Sequence, residues 1–350
     1  MTSHRNEIGV AVVGLGFMGR THIAAFQGFD RCRVVAAVDP ALDDPDHATG
    51  SIGNLDGGGS GFDPTSIRMH AGLEAVLTDP EVDLVSIATP TPTHASIAHA
   101  VIDAGRHLLI EKPVDLDPEA IREIDRHAGK VGIVAMPAHC MRFWPAWKWM
   151  KRAIDEGIHG KCLRASFLRC GAAPDWNPDF YLDESRSGGA IVDLHMHDTD
   201  FVIHCFGTPE AVVSDGSRRY VRTRYEYVDG PEVVAEGGWL DDPEATFTMR
   251  ASLDFEHANV TFDLGRDPEV VLVETDGVEA VPAIESGTGY DGEVRAVVAA
   301  IDDPASPPPV TLADAAETAR IVGVEIDSAA RGGARIACGG RASESEHPPD

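Results

Sequence analysis

Short apolar runs alternate along this chain with longer stretches whose apolar residues recur at helical spacing. Residues 8–13 are apolar throughout and rich in β-branched side chains, the pattern of a strand buried on both faces of a parallel sheet. They run into Gly14-Leu15-Gly16-Phe17-Met18-Gly19, after which residues 20–29 read as a helix. A second run, 33–38, ends at Asp39, and a third, 82–88, ends at Thr89-Pro90-Thr91-Pro92-Thr93. A fourth, 107–110, leads to Glu111-Lys112-Pro113, and 132–136 makes a fifth. Helices are expected between them, over 94–104 with Gly105 as the stop and over 117–129 with Asp117-Pro118 as the cap. Strands alternating with helices predict an α/β, doubly wound Rossmann domain with a parallel sheet, spanning residues 1–137.

Beyond Pro145 the rhythm changes. A helix over 146–156 and a strand over 161–169 precede a loop of aromatics and prolines at 173–182, and 188–206 reads as a helix. Strand-like segments then follow one another at 211–214, 233–240, 245–253, 259–262 and 269–274, before helices at 292–301 and 312–330. Strand after strand predicts an α+β domain over 138–340 with a mostly antiparallel sheet. Residues 54–61, glycine-rich, read as a flexible insertion, and 341–350 as a disordered tail.

Composition narrows the partners. At 350 residues, 43% hydrophobic and 25% charged, the chain has the make-up of a soluble protein of two domains, and no apolar run is long enough to span a membrane. The N-terminus passes straight into a strand pattern, so no signal peptide is read there and a cytoplasmic location is expected. Its 6 cysteines are scattered without a Cys-x-x-Cys pair, which suits ordinary thiols in a reducing compartment. A formal charge of −28 argues against nucleic acid or an anionic membrane as partner. The same charge reads either as a solvated acidic surface or as adaptation to salt.

The chemistry concentrates in two places. In the turn Gly14-x-Gly16-x-x-Gly19, the first glycine permits the tight turn, the second lets a pyrophosphate reach the backbone, and the third allows close packing of helix on strand. Asp39 closes the next strand about twenty residues on, where a carboxylate accepts from ribose hydroxyls and repels a 2′-phosphate, so NAD is favoured over NADP. Phe17 and Met18 complete the cofactor turn; Thr89, Pro90 and His94 lie where the nicotinamide ribose would sit, and Glu111 and Lys112 end a strand on the same edge. The other place is Asp193-Leu194-His195-Met196-His197-Asp198-Thr199-Asp200. On a helix, residues four apart share a face, so Asp193, His197 and Asp200 or His204 form a polar stripe on which Asp193 raises the basicity of His197. His195 points elsewhere, which makes His195 and His197 poor joint ligands; the competing reading is a metal-dependent hydrolase, and the expectation is no metal. His139, Arg142, Trp176 and Tyr181 are candidates for substrate contact.

Together these motifs resemble one family, the Gfo/Idh/MocA oxidoreductases, which includes inositol and sugar dehydrogenases. The likeness lies in residues 10–19, 88–94, 105–113 with their Glu-Lys-Pro, 136–145, 188–193 with His197 and Asp200, and the closing helices around 290–330. It implies a C-terminal domain whose large open sheet covers the active site on one face and builds oligomers, a homodimer or homotetramer, on the other. It also implies that Lys112, Asp193 and His197 are the catalytic residues. The expected activity is oxidation of a secondary alcohol on a sugar, polyol or related cyclic compound, or the reverse reduction. An NAD-recycling glycosidase or a non-redox NAD-binding sensor on the same fold is the alternative. Two departures stand out: His195 replaces a frequent glycine, and the glycine-rich insertion replaces the helix after Asp39.

Overall fold

A computed structural model describes residues 7–41, 64–175 and 177–339. The glycine-rich segment at 54–61, Trp176 and the tail at 341–350 lie outside the described residues. The chain divides into two compact units: residues 1–149, 174–188 and 283–320 form the first, and 150–173, 189–282 and 321–350 the second. That division differs from a single cut after residue 137. The helix Gly289–Asp302 belongs to the first unit because Val294, Val297 and Val298 share a core with Val10, Val12, Ile23 and Phe26.

In the first unit the strands are β1 (Ile8–Val13), β2 (Cys32–Val38), β3 (Arg68–His70), β4 (Leu84–Ile87), β5 (His107–Glu111) and β6 (Ala135–Ala138). They pair in the order β3-β2-β1-β4-β5-β6, all parallel, as the doubly wound fold requires. Alternate residues of one strand enter two cores. Val10 and Val12 face the helices Phe17–Gln27 and Gly289–Asp302; Ala11 and Val13 face the helices His94–Asp103 and Pro118–Val131. Burial on both faces is why these runs read as continuously apolar. Helix ends follow local chemistry. Asp117 accepts the Glu119 amide with Pro118 behind it, and Gly132 at φ 83° ends the helix two residues past the predicted stop. Pro137 is tolerated because β6 is an edge strand.

The second unit holds β7 (Cys162–Ala172), β8 (Ala211–Gly216), β9 (Tyr220–Glu226), β10 (Glu232–Leu240), β11 (Thr248–Phe255), β12 (Ala258–Asp263), β13 (Val270–Glu274), β14 (Glu279–Ala280) and β15 (Ile336–Ala337). They form a nine-stranded sheet in the order β14-β13-β12-β11-β7-β10-β9-β8-β15. Only β7 and β10 run parallel; every other neighbouring pair is antiparallel. Against it packs a helical segment that opens as a π-turn, Ile191–His195, and continues as the helix Met196–Phe206. Phe201 meets Phe167 of β7 edge to face at 5.8 Å.

Candidate active site

The carboxyl ends of β1, β4 and β5 stand side by side at the point where strand order reverses, the place where open α/β sheets bind ligands. Gly14 follows β1 at φ 95°, and an added Cβ would meet Ala88 O at 2.5 Å. At Gly19 a Cβ would lie 1.8 Å from Gly14 O, so the third glycine lets helix and turn touch. Gly16 is different: no atom lies within 4 Å of its Cβ position, and the helix it opens has no side-chain cap. Bare amides and an open backbone fit a pyrophosphate. Asp39 is buried and its carboxylate is fixed, with Oδ2 accepting the Leu15 amide at 2.7 Å and Oδ1 the Ala41 amide at 2.8 Å.

Lys112 follows β5 and is half-buried, while Glu111 and Pro113 on either side are buried. Adjacent strands are about 4.8 Å apart, so Lys112 lies two strands, roughly 10 Å, from the glycine turn. Its peptide is tied down from both sides. The Lys112 amide donates to Glu111 Oε2 at 3.0 Å. His94, buried, places Nδ1 2.9 Å from Pro113 O and Nε2 2.7 Å from Thr89 O, which ties the end of β5 to the end of β4. Burial holds the His94 pKa below the usual histidine value, although both carbonyls favour the cation. His94 is thus an internal clamp behind the predicted ribose position, with both ring nitrogens committed inside the protein. Glu111 likewise faces inward, toward His22, and not toward the cofactor turn.

In the second unit, only Asp193 and His197 among residues 191–200 are half-buried; the rest are buried. Asp200 turns into the interior, whereas His204, the other expected member of the stripe, is half-buried like Asp193 and His197. His195 is fully buried, with Nε2 3.3 Å from Glu325 Oε2 and 3.4 Å from the Tyr225 hydroxyl. Thr199 joins that group, donating toward Glu325 and sharing a hydrogen bond with Tyr225. Beside it Arg169 grips Asp198 with two hydrogen bonds of 3.1 and 2.9 Å, both side chains buried. These contacts fix the segment while Asp193 and His197 stay accessible.

Residues 8–139 match the model of an oxidoreductase family with an NAD-binding Rossmann fold, Gfo/Idh/MocA, and residues 147–267 match that family's C-terminal domain. The chain belongs to the Gfo/Idh/MocA family. It is 29% identical over 211 residues to an uncharacterized oxidoreductase of Synechocystis sp., covering 59% of this chain and 53% of that protein. To an inositol 2-dehydrogenase of Rhizobium meliloti it is 29% identical over 197 residues, or 56% of this chain and 54% of the relative. The chain thus spans about half the length of these curated relatives. A levoglucosan dehydrogenase solved with NADH and levoglucosan shares the fold with a TM-score of 0.78 at 21% identity, over 95% of this chain and 99% of that one.

Within this Gfo/Idh/MocA chain the predicted substrate contacts differ in burial, and Trp176 lies outside the described residues. His139 and Arg142 are buried, and the Arg142 guanidinium lies 3.5 Å from Asp314. Tyr181 is half-buried and packs edge to face on Phe180. The sequence reading missed three buried groups: His22, Ser86 and Glu293. His22 Nδ1 lies 2.6 Å from Ser86 Oγ, and Nε2 lies 2.9 Å from Glu111 Oε1 and 3.3 Å from Glu293 Oε1. Among the described residues, His22, Glu111 and Glu293 are the group whose donor atoms converge as metal ligands would. Two signals were available: a histidine three residues after Gly19, and a glutamate directly before Val294 with Val297 and Val298 on the same buried helix.

Proposed function

We propose that this protein is an NAD-dependent dehydrogenase that oxidises a secondary alcohol on a sugar, polyol or related cyclic compound, or carries out the reverse reduction. The observation that carries the reading is Lys112, held by clamps on both sides at the strand end next to the switch point. A fixed positive charge there suits an oxygen that gains negative character as its carbon gives up hydride. When bound, NAD supplies the hydride acceptor. His197 takes the hydroxyl proton, and the neighbouring carboxylate of Asp193 favours the imidazolium that results. The charge of Lys112 stabilises developing alkoxide character. Asp39 orients the adenosine ribose and repels a 2′-phosphate, which supports NAD over NADP. The inositol and sugar dehydrogenases among the relatives support the substrate class.

The test is a screen of inositols, sugars and anhydrosugars with NAD, read as NADH absorbance, beside calorimetric titration of both cofactors. Expected are NADH formation with a cyclic polyol and NAD affinity at least tenfold above that for NADP, about 1.4 kcal/mol. Asp39→Ala should erase the difference. NAD binding with no net NADH from any substrate, but with glycoside cleavage, would replace this reading by cofactor recycling. Equal affinity for the two cofactors would sink the role of Asp39.

A further inference from the structure

The carboxylate that holds the Lys112 peptide is itself held. Glu111 gives one oxygen to the Lys112 amide and the other to His22, at 3.0 and 2.9 Å. His22 comes from the helix Phe17–Gln27, which the glycine turn opens, and Glu293 from the helix Gly289–Asp302. Both are fully buried, and Ser86 of β4 closes the far side of the imidazole. One ring nitrogen therefore meets carboxylates from two elements, and neither approach is a linear hydrogen bond. Among the described residues, neither oxygen of Glu293 has a hydrogen-bond partner.

Charge counting limits the states available. An imidazolium with two carboxylates leaves one negative charge uncompensated in the interior, which is costly. A proton on Glu293 removes it, leaving His22 and Glu111 as a neutral pair. The environment points the same way. Burial, with the charge of Glu111 added, raises the Glu293 pKa to about 7 against the pull of His22 and His139. Burial alone would lower the His22 pKa, but the two carboxylates outweigh it and raise it to about 10. Burial would raise Glu111, yet His22 and the neighbouring Lys112 hold it below the usual carboxylate value. His94 also lies in the field of Glu111.

We propose that His22, Glu111 and Glu293 share protons as a buried trio that positions Lys112, fixing its peptide through the second oxygen of Glu111. This rests on Lys112 acting at the substrate oxygen, as proposed above. His22 and Glu293 are positioning residues in this arrangement. Loss of the proton from Glu293 sets a second carboxylate competing for His22, and the change passes through Glu111 to the Lys112 amide.

The amide is a readout that needs no substrate. In protein labelled with 15N-lysine, the Lys112 resonance is identified by its disappearance in Lys112→Arg. It should shift with a midpoint near pH 7, and that titration should vanish in Glu293→Gln. His22→Gln should move the resonance at every pH and lower kcat at least tenfold, with less than threefold change in the KM for NAD. Combined with Lys112→Ala, His22→Gln should add no further loss of turnover. An amide indifferent to both substitutions overturns the proposal, and so do losses that multiply in the double variant. If His22→Gln does not fold, Glu293→Gln carries the amide test alone. Full turnover in Lys112→Ala would defeat the functional reading of that lysine and the positioning role with it, while the amide shift would still show whether the trio holds the peptide. A stoichiometric metal in the purified protein, whose removal by chelator moves the same resonance, would replace shared protons by a metal site.

Discussion

Gly16 and Gly19 stand three residues apart in one motif, yet they answer to different constraints. A methyl group on Gly19 would overlap Gly14 O at 1.8 Å, and the obstacle is backbone, which cannot swing aside. At Gly16 the backbone lies at φ −65° and ψ −167°, which alanine adopts freely, and nothing in the protein approaches the added carbon. Gly19 answers to packing, and the open space at Gly16 leaves room for a ligand. Gly19→Ala should therefore cost several kcal/mol of stability, as overpacking against fixed atoms does. Gly16→Ala should melt within about 2 °C of the unsubstituted protein, a change well under 1 kcal/mol, but lose at least tenfold in NAD affinity. Thermal unfolding and calorimetric titration separate the two. Unchanged NAD affinity in Gly16→Ala would mean that the pyrophosphate does not cross that turn. The close packing at Gly14 and Gly19 was legible in the sequence, since glycine spacing between a strand and a helix encodes it. The pairing of His22 with Glu111 and Glu293 was not legible, because it joins residues from distant parts of the chain through a packing that no local pattern records.

Whole elements were legible where one physical signal dominated. Strands of the parallel sheet announced themselves as apolar runs because both of their faces are buried. Strand β9 escaped notice: Val221, Thr223 and Tyr225 are buried, but Arg222 and Arg224 alternate with them, and its apolar share is low. A strand with one wet face carries half the signal. The segment at 191–206 shows a subtler gap. Asp193 and His197 are half-buried and His195 is buried, but no local pattern in the sequence announced the π-turn at Ile191–His195. Such turns are frequent at functional sites. Nor did it reveal that His195 is held by Glu325, Tyr225 and Thr199 inside the second unit. His195→Ala should accordingly destabilise the protein by about 2 kcal/mol, leaving polar partners buried without their imidazole. Its turnover per folded molecule should fall less than that of His197→Ala. Melting curves and activity corrected for folded fraction decide this, and equal loss of turnover from the two substitutions would remove His197 from its assigned role.

At the scale of the whole molecule, the formal charge of −28 makes any raw pH profile hard to assign to one group, because self-repulsion changes as dozens of carboxylates titrate. Exposed ion pairs such as Arg31–Asp302 offset little of it, because water and salt screen them. A difference between two nearly identical proteins cancels this background. Glu293 has its pKa raised by burial from 4.5 to about 7, so its contribution to stability is fully present below pH 4.5 and is lost as pH rises through 7. His22 is raised from 6.5 to about 10 by its two carboxylates, so its contribution is fully present below pH 6.5 and is lost progressively as pH rises from there through 10. Between pH 5 and 6.5 the change belongs to Glu293, and above that both groups contribute, so the Glu293 share is read only as a difference against a variant that lacks its titration. A shift of that size corresponds to on the order of 3 kcal/mol. Glu293→Gln keeps the shape and cannot ionise. Relative to this variant, the unsubstituted protein should lose several degrees of melting temperature between pH 5 and pH 8. Scanning calorimetry of both proteins at the two pH values gives the answer directly. A difference that stays constant, or one that favours the unsubstituted protein at pH 8, would show that Glu293 is ionised throughout and that a cation other than a proton balances it.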